Sequence, residues 1–516
     1  MTHAAAVIPA AGVVTRRRFL GAAAGLSGAI ALGACAPAAP ARSTFTALYE
    51  GAGSTESIDP GVATMFVDEA RIKHVYDGLF EPDSTMTPVP RLATSAEPNA
   101  DGTRWRITLR EARWHDGSPL TAEDVLFTFA RILGRQAGPS PYIAASTLSQ
   151  IDTGGCRAID RRTVEIALAT PSFDLSTLLA SYGTRIVKNG TTDFSHPIGT
   201  GAFRFETFRP GREFVAARFD DHWGEPPRIE ELRVLSAGSD ARVAALRAGQ
   251  ADFADNLSPG AVRTLNDAAD ITVDAAPNSG ILYFAMKTDR APFAHPDVRR
   301  ALMHLVDRRQ LVTVALEGAG EVSDDVFGRG YRYYADDLAP HRHDPGKARD
   351  LLRRAGSSDL GFELFVAPVA HGFVEAAHLF REQAAEAGVT VRVVVGSKDT
   401  YYTEALTRGD MTMGQSGPLP IPYHFGSRLL SNAPKSYTRW ADPEFDGLYH
   451  RAQLTRSDER RAALYHTMHE ILHDRGGFIF WATTPWHTAH RAGWQGTPAG
   501  VPNSLDWARF DGVAPV

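Results

Sequence analysis

The fold is decided by one stretch, Trp114-His115-Asp116-Gly117-Ser118-Pro119-Leu120-Thr121-Ala122-Glu123-Asp124-Val125. Within it, Asp116-Gly117 predicts a tight turn, because glycine adopts the backbone angles that such turns require. Thr121 predicts a helix start, where its hydroxyl would accept hydrogen bonds from first-turn amides. The stretch therefore predicts a turn that leads into a helix, and we expect most of it to be architectural.

Strands are predicted on both sides of this stretch. Apolar residues alternate with polar ones at Trp105, Ile107 and Leu109, and the same pattern returns over residues 164–168. A period of two is typical of half-buried strands. Strands and helices interleave along the chain without an internal repeat, which predicts a mixed α/β protein.

Two helices are marked clearly in the second half of the chain. Pro296 suits a first helical turn, and apolar residues follow at helical spacing up to residue 306. In the second helix, Asp344 is the predicted cap, Pro345 takes the first position and Gly356 ends the element. Both helices expose one polar face and bury one apolar face.

The N-terminal sequence resembles an export signal. Arg16-Arg17-Arg18-Phe19-Leu20 precedes a short apolar run and then Leu32-Gly33-Ala34-Cys35. The first motif resembles a twin-arginine signal and the second a lipobox, whose cysteine receives the lipid. We therefore expect a signal peptide over residues 1–34, a tether over 35–44 anchored through lipid on Cys35, and a folded domain at the outer face of the cytoplasmic membrane, in the periplasm or at the cell surface.

Composition limits the partners. The 516 residues carry a formal net charge of −6, and loss of the three signal arginines makes the protein more negative, so we expect no nucleic-acid partner. The only cysteines are Cys35 and Cys156, so no internal disulfide is expected if Cys35 carries lipid. No later apolar run reaches the length of a membrane span. The lipid anchor is the only predicted membrane contact.

The predicted elements carry a resemblance to a known family, because several motifs occur in the family's order. The family is solute-binding protein family 5, the peptide- and nickel-binding receptors of ABC importers. The residues that carry the resemblance are Ser57-Ile58-Asp59-Pro60, Val75–Phe80, Trp114–Val125, Pro197–Phe203, Asp221-His222-Trp223, Pro292–Leu302, Asp344–Gly356 and Asp442–Asp446.

The resemblance implies an α/β, two-lobed periplasmic-binding-protein fold of type II, similar to cluster C, with the ligand trapped between the lobes. Lobe one is expected over residues 45–277 plus 486–516, with an extra subdomain inserted at about 76–196, and lobe two over 278–485. A protein of this kind is a monomer that closes on a small peptide-like solute and delivers it to permease subunits and their ATPases. No chemistry on the solute, no cofactor and no bound metal are expected.

The sequence differs from peptide-binding relatives in one ligand-binding segment. Peptide-binding relatives use a Trp-x-x-Asp segment in lobe two, whose carboxylate pairs with the α-ammonium of the peptide. Here Ser416 falls at the tryptophan position and Leu419 at the aspartate position. A free peptide amine would lack its usual partner, so short unmodified peptides should bind poorly.

A receptor for nickel or another metal chelate is the alternative within the same family. Nickel-binding relatives carry a histidine near the position of His424 and an arginine near Arg185. For His424 we favour packing over metal ligation, whereas for Arg185 an anion-binding role in the cleft and a surface salt bridge both stay open. Glu50 and Ser54 are further ligand-binding candidates, because their loop contacts ligand in relatives.

One motif favours an enzyme instead. His469-Glu470-Ile471-Leu472-His473 matches H-E-x-x-H, in which two histidines bind zinc and the glutamate activates water. A third ligand is missing: Ile479 stands where a longer form of the motif needs histidine, and no glutamate follows Glu470. We therefore expect a structural helix, with a zinc peptidase as the remote alternative. His341-Arg342-His343 predicts a solvated loop before the Asp344 cap.

Overall fold

The computed structural model describes residues 43–134, 142–323, 325–433 and 436–516. The predicted signal peptide, Cys35 and nearly all of the tether lie outside these residues. The strands are β1 (Thr44–Tyr49), β2 (Phe80–Pro82), β3 (Pro88–Pro90), β4 (Ala93–Pro98), β5 (Arg104–Leu109), β6 (Arg157–Asp160), β7 (Thr163–Ala167), β8 (Phe203–Arg209), β9 (Glu213–Arg218), β10 (Glu231–Ser236), β11 (Phe253–Ala254), β12 (Ile271–Met286), β13 (Glu321–Val322), β14 (Gly361–Val366), β15 (Thr390–Val395), β16 (Met411–Ser416), β17 (Phe478–Arg491), β18 (Trp494–Gln495) and β19 (Ala514–Pro515).

Helices alternate with these strands along the chain. They are α1 (Phe66–Val75), α2 (Ala122–Leu133), α3 (Leu175–Leu179), α4 (Ser239–Arg247), α5 (Pro259–Asn266), α6 (Pro296–Leu305), α7 (Arg308–Ala315), α8 (Pro345–Arg354), α9 (Phe373–Ala385), α10 (Tyr401–Glu404), α11 (Ile421–Arg428), α12 (Pro443–Gln453) and α13 (Asp458–Arg475). None of the helices in the described segments is both long enough and apolar enough to cross a bilayer.

One mixed sheet of 11 strands runs through the molecule, in the order β15-β14-β16-β12-β17-β11-β1-β10-β9-β8, with β13 also paired to β17. Its central pair, β12 and β17, is antiparallel and unusually long. One end of β12 pairs with β16, whereas one end of β17 pairs with β11. These two strands therefore join the two halves of the sheet, as crossover strands would.

The ladder between β12 and β17 shifts register at two places, and the shift near Asn278 is the longer interruption, whereas the other lies between Leu282 and Tyr283. Pairing shifts register between Ala276 and Gly280, and Asn278 within the gap has φ +52°, in the left-handed region. The lobe boundaries predicted at Pro277 and Pro485 lie at this interruption. A break in a ladder lets two segments rotate with few hydrogen bonds lost, which makes this the natural hinge of the molecule.

Separate apolar cores underlie three parts of the chain. One core draws on residues 45–76 and 187–253 together with 507–513, so the C-terminal tail packs with the first part of the chain. A second core is formed almost entirely by residues 79–186. A third lies within residues 282–482. These cores follow the proposed lobe one with its tail, the inserted subdomain and lobe two, although the exact boundaries stay predictions.

The inserted segment forms its own antiparallel sheet of four strands, in the order β4-β5-β7-β6. Trp105, Ile107 and Leu109 of β5 are buried, whereas Arg104 and Arg106 between them are exposed. The predicted alternation is confirmed for β5, which has one buried and one exposed face. It is wrong for residues 164–168, all of which are buried.

The diagnostic stretch folds as a turn and a helix. The N–H of Gly117 donates to the carbonyl of Trp114 over 2.8 Å, with Gly117 at φ +82°. Helix α2 starts after Thr121, as predicted, and the Asp124 carboxylate accepts hydrogen bonds from the Thr121 N–H over 2.8 Å and from the Thr121 hydroxyl over 3.0 Å, as in a capping box. Asp124 also accepts from the N–H of Asn189 over 2.8 Å. This buried carboxylate, a stronger acceptor than a hydroxyl, organises the helix start.

The two helices predicted in the second half are α6 and α8. Asp344 caps α8 by accepting a hydrogen bond from the N–H of Lys347 over 2.8 Å, and Gly356 follows the helix at φ +65°. Their apolar faces contribute to the core of residues 282–482. Both predictions are confirmed.

Candidate functional site

A cavity of about 270 Å³ lies between the two halves of the molecule. One wall comes from α1, β2 and the segment after α3, and the opposite wall comes from α11 and the loop before it. The lining residues are Thr64, Phe66, Glu69, Gly78, Phe80, Glu81, Pro82, Met86, Ile143, Ala180, Ser181, Tyr182, Gly183, Thr184, Arg185, Gly417, Pro418, Leu419, Pro420, Tyr423, Ser427, Arg428 and Asn503.

Much of this wall is apolar or aromatic. On one side Phe66 lies against the rings of Trp486 and Trp507, with centroids 4.9 Å and 5.5 Å away. On the other side the half-buried Leu419 lines the cavity. A solute with an apolar body would gain about 25 cal/mol for each Å² of apolar surface that it buries here.

An ion cluster forms the floor on the lobe-one side. The Arg185 guanidinium pairs with Glu69 and, over 2.5 Å, with Glu81. Glu81 is also paired with Arg509 over 2.8 Å. Arg185 therefore does line the cavity, but neighbouring carboxylates already balance its charge. It is neither a free anion site nor a surface salt bridge.

The pKa values follow from this pairing. Burial alone would lower the pKa of Arg185, but Glu69 and Glu81 outweigh that effect and raise it. Burial alone would likewise raise the pKa of Glu81, but Arg509 and Arg185 hold it well below its ordinary value. These shifts favour the charged forms of Glu81 and Arg185, which are satisfied within the cluster.

One cavity-lining charge has no such partner. Arg428, the last residue of α11, is half-buried on the opposite wall. Among the described residues, no carboxylate lies within ion-pair distance of its guanidinium, which shares a hydrogen bond with the hydroxyl of the buried Tyr283. A planar guanidinium presents two parallel N–H groups to a carboxylate. Arg428 is therefore the group in the described part of the cavity wall that is best suited to hold an anion.

Two of the predicted lobe-two residues lie outside the cavity. Ser416 is buried at the end of β16, and its hydroxyl donates to the carbonyl of Gly417 over 3.1 Å. His424 lies on the buried face of α11, with its ring parallel to that of Phe327 and the centroids 3.7 Å apart. Burial holds the pKa of His424 well below its ordinary value. The structure thus places His424 in packing, the role favoured from the sequence.

Glu50 and Ser54 also fall outside the cavity lining. Both side chains are exposed, and a Glu50 carboxylate oxygen lies 4.0 Å from Arg242. Their loop follows β1 and turns towards solvent before it reaches α1. Of the six candidate ligand-binding residues, the structure therefore brings together Arg185 and Leu419, which face the cavity from opposite walls.

The H-E-x-x-H segment lies on α13 and its members face different surroundings. His469 is fully buried against the ring of Phe425, with centroids 5.0 Å apart, and burial lowers its pKa to about 3. Glu470 is exposed, whereas His473 stacks on His341. Within the described ranges, no group of three nearby metal-ligand side chains includes His469. His469 thus packs on the buried face of α13.

Sequence reasoning missed Arg428 and the carboxylates that neutralise Arg185. Glu69 and Glu81 lie 116 and 104 positions before Arg185, so no local pattern connects them. For Arg428 a weak signal existed, because it is a basic residue near the loop that aligns with the ligand-binding segment of peptide-binding relatives.

Comparison with known proteins identifies the family to which the chain belongs. A family model for bacterial extracellular solute-binding proteins, family 5, matches residues 87–435, more than half of the chain. The chain belongs to this family. The predicted α/β class, two-lobed fold and family membership are confirmed, and the extracellular family supports export.

Individual relatives of family 5 match over nearly their whole length. The dipeptide-binding protein of Escherichia coli K12 is 26% identical over 470 residues, covering 83% of this chain and 88% of the relative. The structure of DppA from Helicobacter pylori with the peptide STSA has a TM-score of 0.76 at 21% identity, covering 92% and 98%. NikZ from Campylobacter jejuni with Ni(L-His) has a TM-score of 0.77 at 19% identity, covering 92% and 99%.

Proposed function

We propose that this protein is the exported solute-binding component of an ABC importer, and that its solute is a small anion with an apolar body and without a free amine. The observation that carries the proposal is the interlobe cavity, in which an unpaired Arg428 faces apolar walls and Leu419 replaces the expected carboxylate. The bound solute is delivered to the permease subunits, and the receptor acts as a monomer.

Capture works through lobe closure. The described lobes already touch beside the cavity: the Ser172 hydroxyl donates to the side chain of Gln453 over 3.0 Å, and Arg461 donates to the carbonyl of Phe173 over 3.0 Å. A solute that contacts both walls has more contacts in this closed form than in an open one. Binding therefore shifts the population towards closure, with rotation at the break around Asn278.

The cavity size sets the class of solute. A volume of about 270 Å³ is slightly below the range for small-molecule sites, about 300–1000 Å³. It suits a solute of the size of a modified amino acid or a very short peptide derivative. Long peptides would have to extend beyond the closed volume.

The charges favour an acid over an amine. An ammonium group near Leu419 would lose its water without gaining a partner, a cost of several kcal/mol. The carboxylates of Glu69 and Glu81 are engaged by arginines, so neither is free to replace it. A carboxylate on the solute, in contrast, would pair with Arg428.

Binding without catalysis is part of the proposal. The carboxylates of the described lining are Glu69 and Glu81, and both are held in ion pairs with Arg185. The described lining contains no Ser-His or Cys-His pair. What the cavity offers is recognition and closure.

Export and anchoring complete the proposal. The signal over residues 1–34 directs export, and lipid on Cys35 holds residues 35–44 as a tether at the outer face of the cytoplasmic membrane, in the periplasm or at the cell surface. The support is the sequence of the signal itself and membership in a family of extracellular proteins.

The second candidate is a receptor for a metal chelate. NikZ with Ni(L-His) shares the fold, and Arg428 would equally pair with a carboxylate of a chelator. Because no histidine is among the described lining residues, the metal would have to arrive already complexed.

Native mass spectrometry of protein purified from its own host tests the proposal, followed by calorimetry with the compound released. We expect one retained anion without a free amine. Retention of an unmodified peptide with a free amine would contradict the proposed specificity if that peptide also binds tightly when it is added back to the empty protein. A metal complex would establish the second candidate.

A further inference from the structure

Three side chains that could ligate a metal meet outside the solute cavity. Asp325 follows β13, His341 lies in the loop before α8, and His473 is near the end of α13. One candidate ligand atom from each residue lies within 4.8 Å of the others. Asp325 is fully buried, whereas both histidines are half-buried. His341 was expected in a solvated loop, but its side chain is only 11% exposed because it packs against Asp325 and His473.

Hydrogen bonds orient both imidazoles and leave one nitrogen of each available. His341 Nδ1 lies 3.0 Å from Asp325 Oδ2, and His473 Nε2 lies 3.0 Å from the carbonyl oxygen of Ala339. Since a carboxylate and a carbonyl accept, these ring nitrogens donate. The lone pair of His473 then lies on Nδ1, and a metal bound between His341 Nδ1 and Asp325 Oδ2 would replace the proton of their hydrogen bond. The two rings are stacked, with centroids 4.2 Å apart.

His473 shows the pattern of a metal-binding histidine. Such a histidine donates its non-ligating N–H to a carboxylate or a backbone carbonyl, which fixes the tautomer and the ring orientation. Here the carbonyl of Ala339 is that acceptor, whereas Asp325 is itself a proposed ligand beside His341. Two imidazoles beside a carboxylate form a donor set that suits zinc and its neighbours among the divalent transition metals.

We propose that Asp325, His341 and His473 form a binding site for a divalent transition-metal ion of the zinc type. Arg308 pairs with the other carboxylate oxygen of Asp325, so the carboxylate is fixed on one side and open towards the histidines. The metal would join the loop after β13, the loop before α8 and helix α13. Of the H-E-x-x-H segment, the site uses His473 but neither His469 nor Glu470. The metal would therefore have a structural role, linking two loops to α13, and would not form a peptidase centre.

Zinc titration of the full-length protein tests the site, after chelator treatment and removal of any purification tag. Calorimetry should show one Zn²⁺ per chain, and melting should shift upward with added zinc. His341→Gln and His473→Gln should each weaken zinc binding at least tenfold. His343→Gln and Glu470→Ala are matched controls on the same loop and helix, and both should bind zinc as the wild type does.

A direct measurement on the wild type guards against variants that fail to fold. X-ray absorption of the zinc-loaded protein should show imidazole nitrogen ligands at about 2.0–2.1 Å. Absence of stoichiometric zinc binding, a ligand shell without imidazole, or unchanged affinity in both folded histidine variants would overturn the proposal. None of these outcomes depends on which solute the interlobe cavity binds.

Discussion

Replacing Arg428 tests the specificity of the cavity most directly. Arg428→Gln keeps a polar side chain of similar length but removes the unpaired positive charge from the wall. A solute carboxylate would then be enclosed without its partner, which costs about 2–5 kcal/mol for a buried charge pair. Because Arg428 is half-buried, we expect the lower part of that range, about 2–3 kcal/mol, or roughly a 30- to 150-fold increase in Kd.

Calorimetry with N-acetyl-alanyl-phenylalanine and its C-terminal amide measures this effect in a defined pair of probes. The wild type should prefer the acid, and Arg428→Gln should bind the acid and the amide about equally. Arg428→Lys should fall between, because lysine keeps the charge but not the two parallel N–H groups. Arg451→Gln, at an exposed arginine of α12, controls for net charge and should bind as the wild type.

Two results would refute this reasoning. One is an unchanged preference for the acid in a correctly folded Arg428→Gln protein. The other is tighter binding of the free amine, alanyl-phenylalanine, than of its acetylated form by the wild type. Calorimetry of the same variants with the solute released from host-purified protein would show whether this preference holds for the natural ligand.

Three further predictions concern stability and location. Arg185→Ala should lower the melting temperature of the empty protein, since it leaves the buried Glu69 without its partner and Glu81 with Arg509 alone, at a cost of about 3–5 kcal/mol. A melting temperature equal to that of the wild type would show that the ion cluster does not stabilise the fold. Burial raises the pKa of Asp255 to about 7 from an ordinary value of 3.8, so between these values the folded chain keeps a proton that the unfolded chain has released, and the free energy of unfolding should fall as the pH rises. In urea unfolding, the free energy of unfolding of the wild type should fall by an amount on the order of a few kcal/mol between pH 5 and pH 8, and that of Asp255→Asn should not. An identical pH dependence in wild type and variant would contradict this role of Asp255. Cys35→Ala should release exported protein into the medium or the periplasmic fraction, whereas a variant that stays in the membrane would exclude the lipid anchor.

Features that depend on neighbouring residues were predictable from the sequence. The alternation around Trp105 and the cap at Asp344 are encoded within a few positions, so strand and helix form where the pattern indicates. The aligned position of Leu419 correctly led to the cavity wall. Features set by distant residues were not predictable. Arg185 is held in ion pairs by carboxylates more than a hundred positions away in the sequence.

The interlocked charges on the floor of the cavity make the two walls unequal. Glu69, Arg185, Glu81 and Arg509 hold one another in place, so that wall keeps its shape whether or not a solute is present. Recognition of charge falls to the opposite wall, over residues 417–428. An arriving solute would dock there first, and the other lobe would close over it as a rigid cover. New specificities can then evolve by changes in this short segment alone, without disturbing the buried charges on which the fold depends.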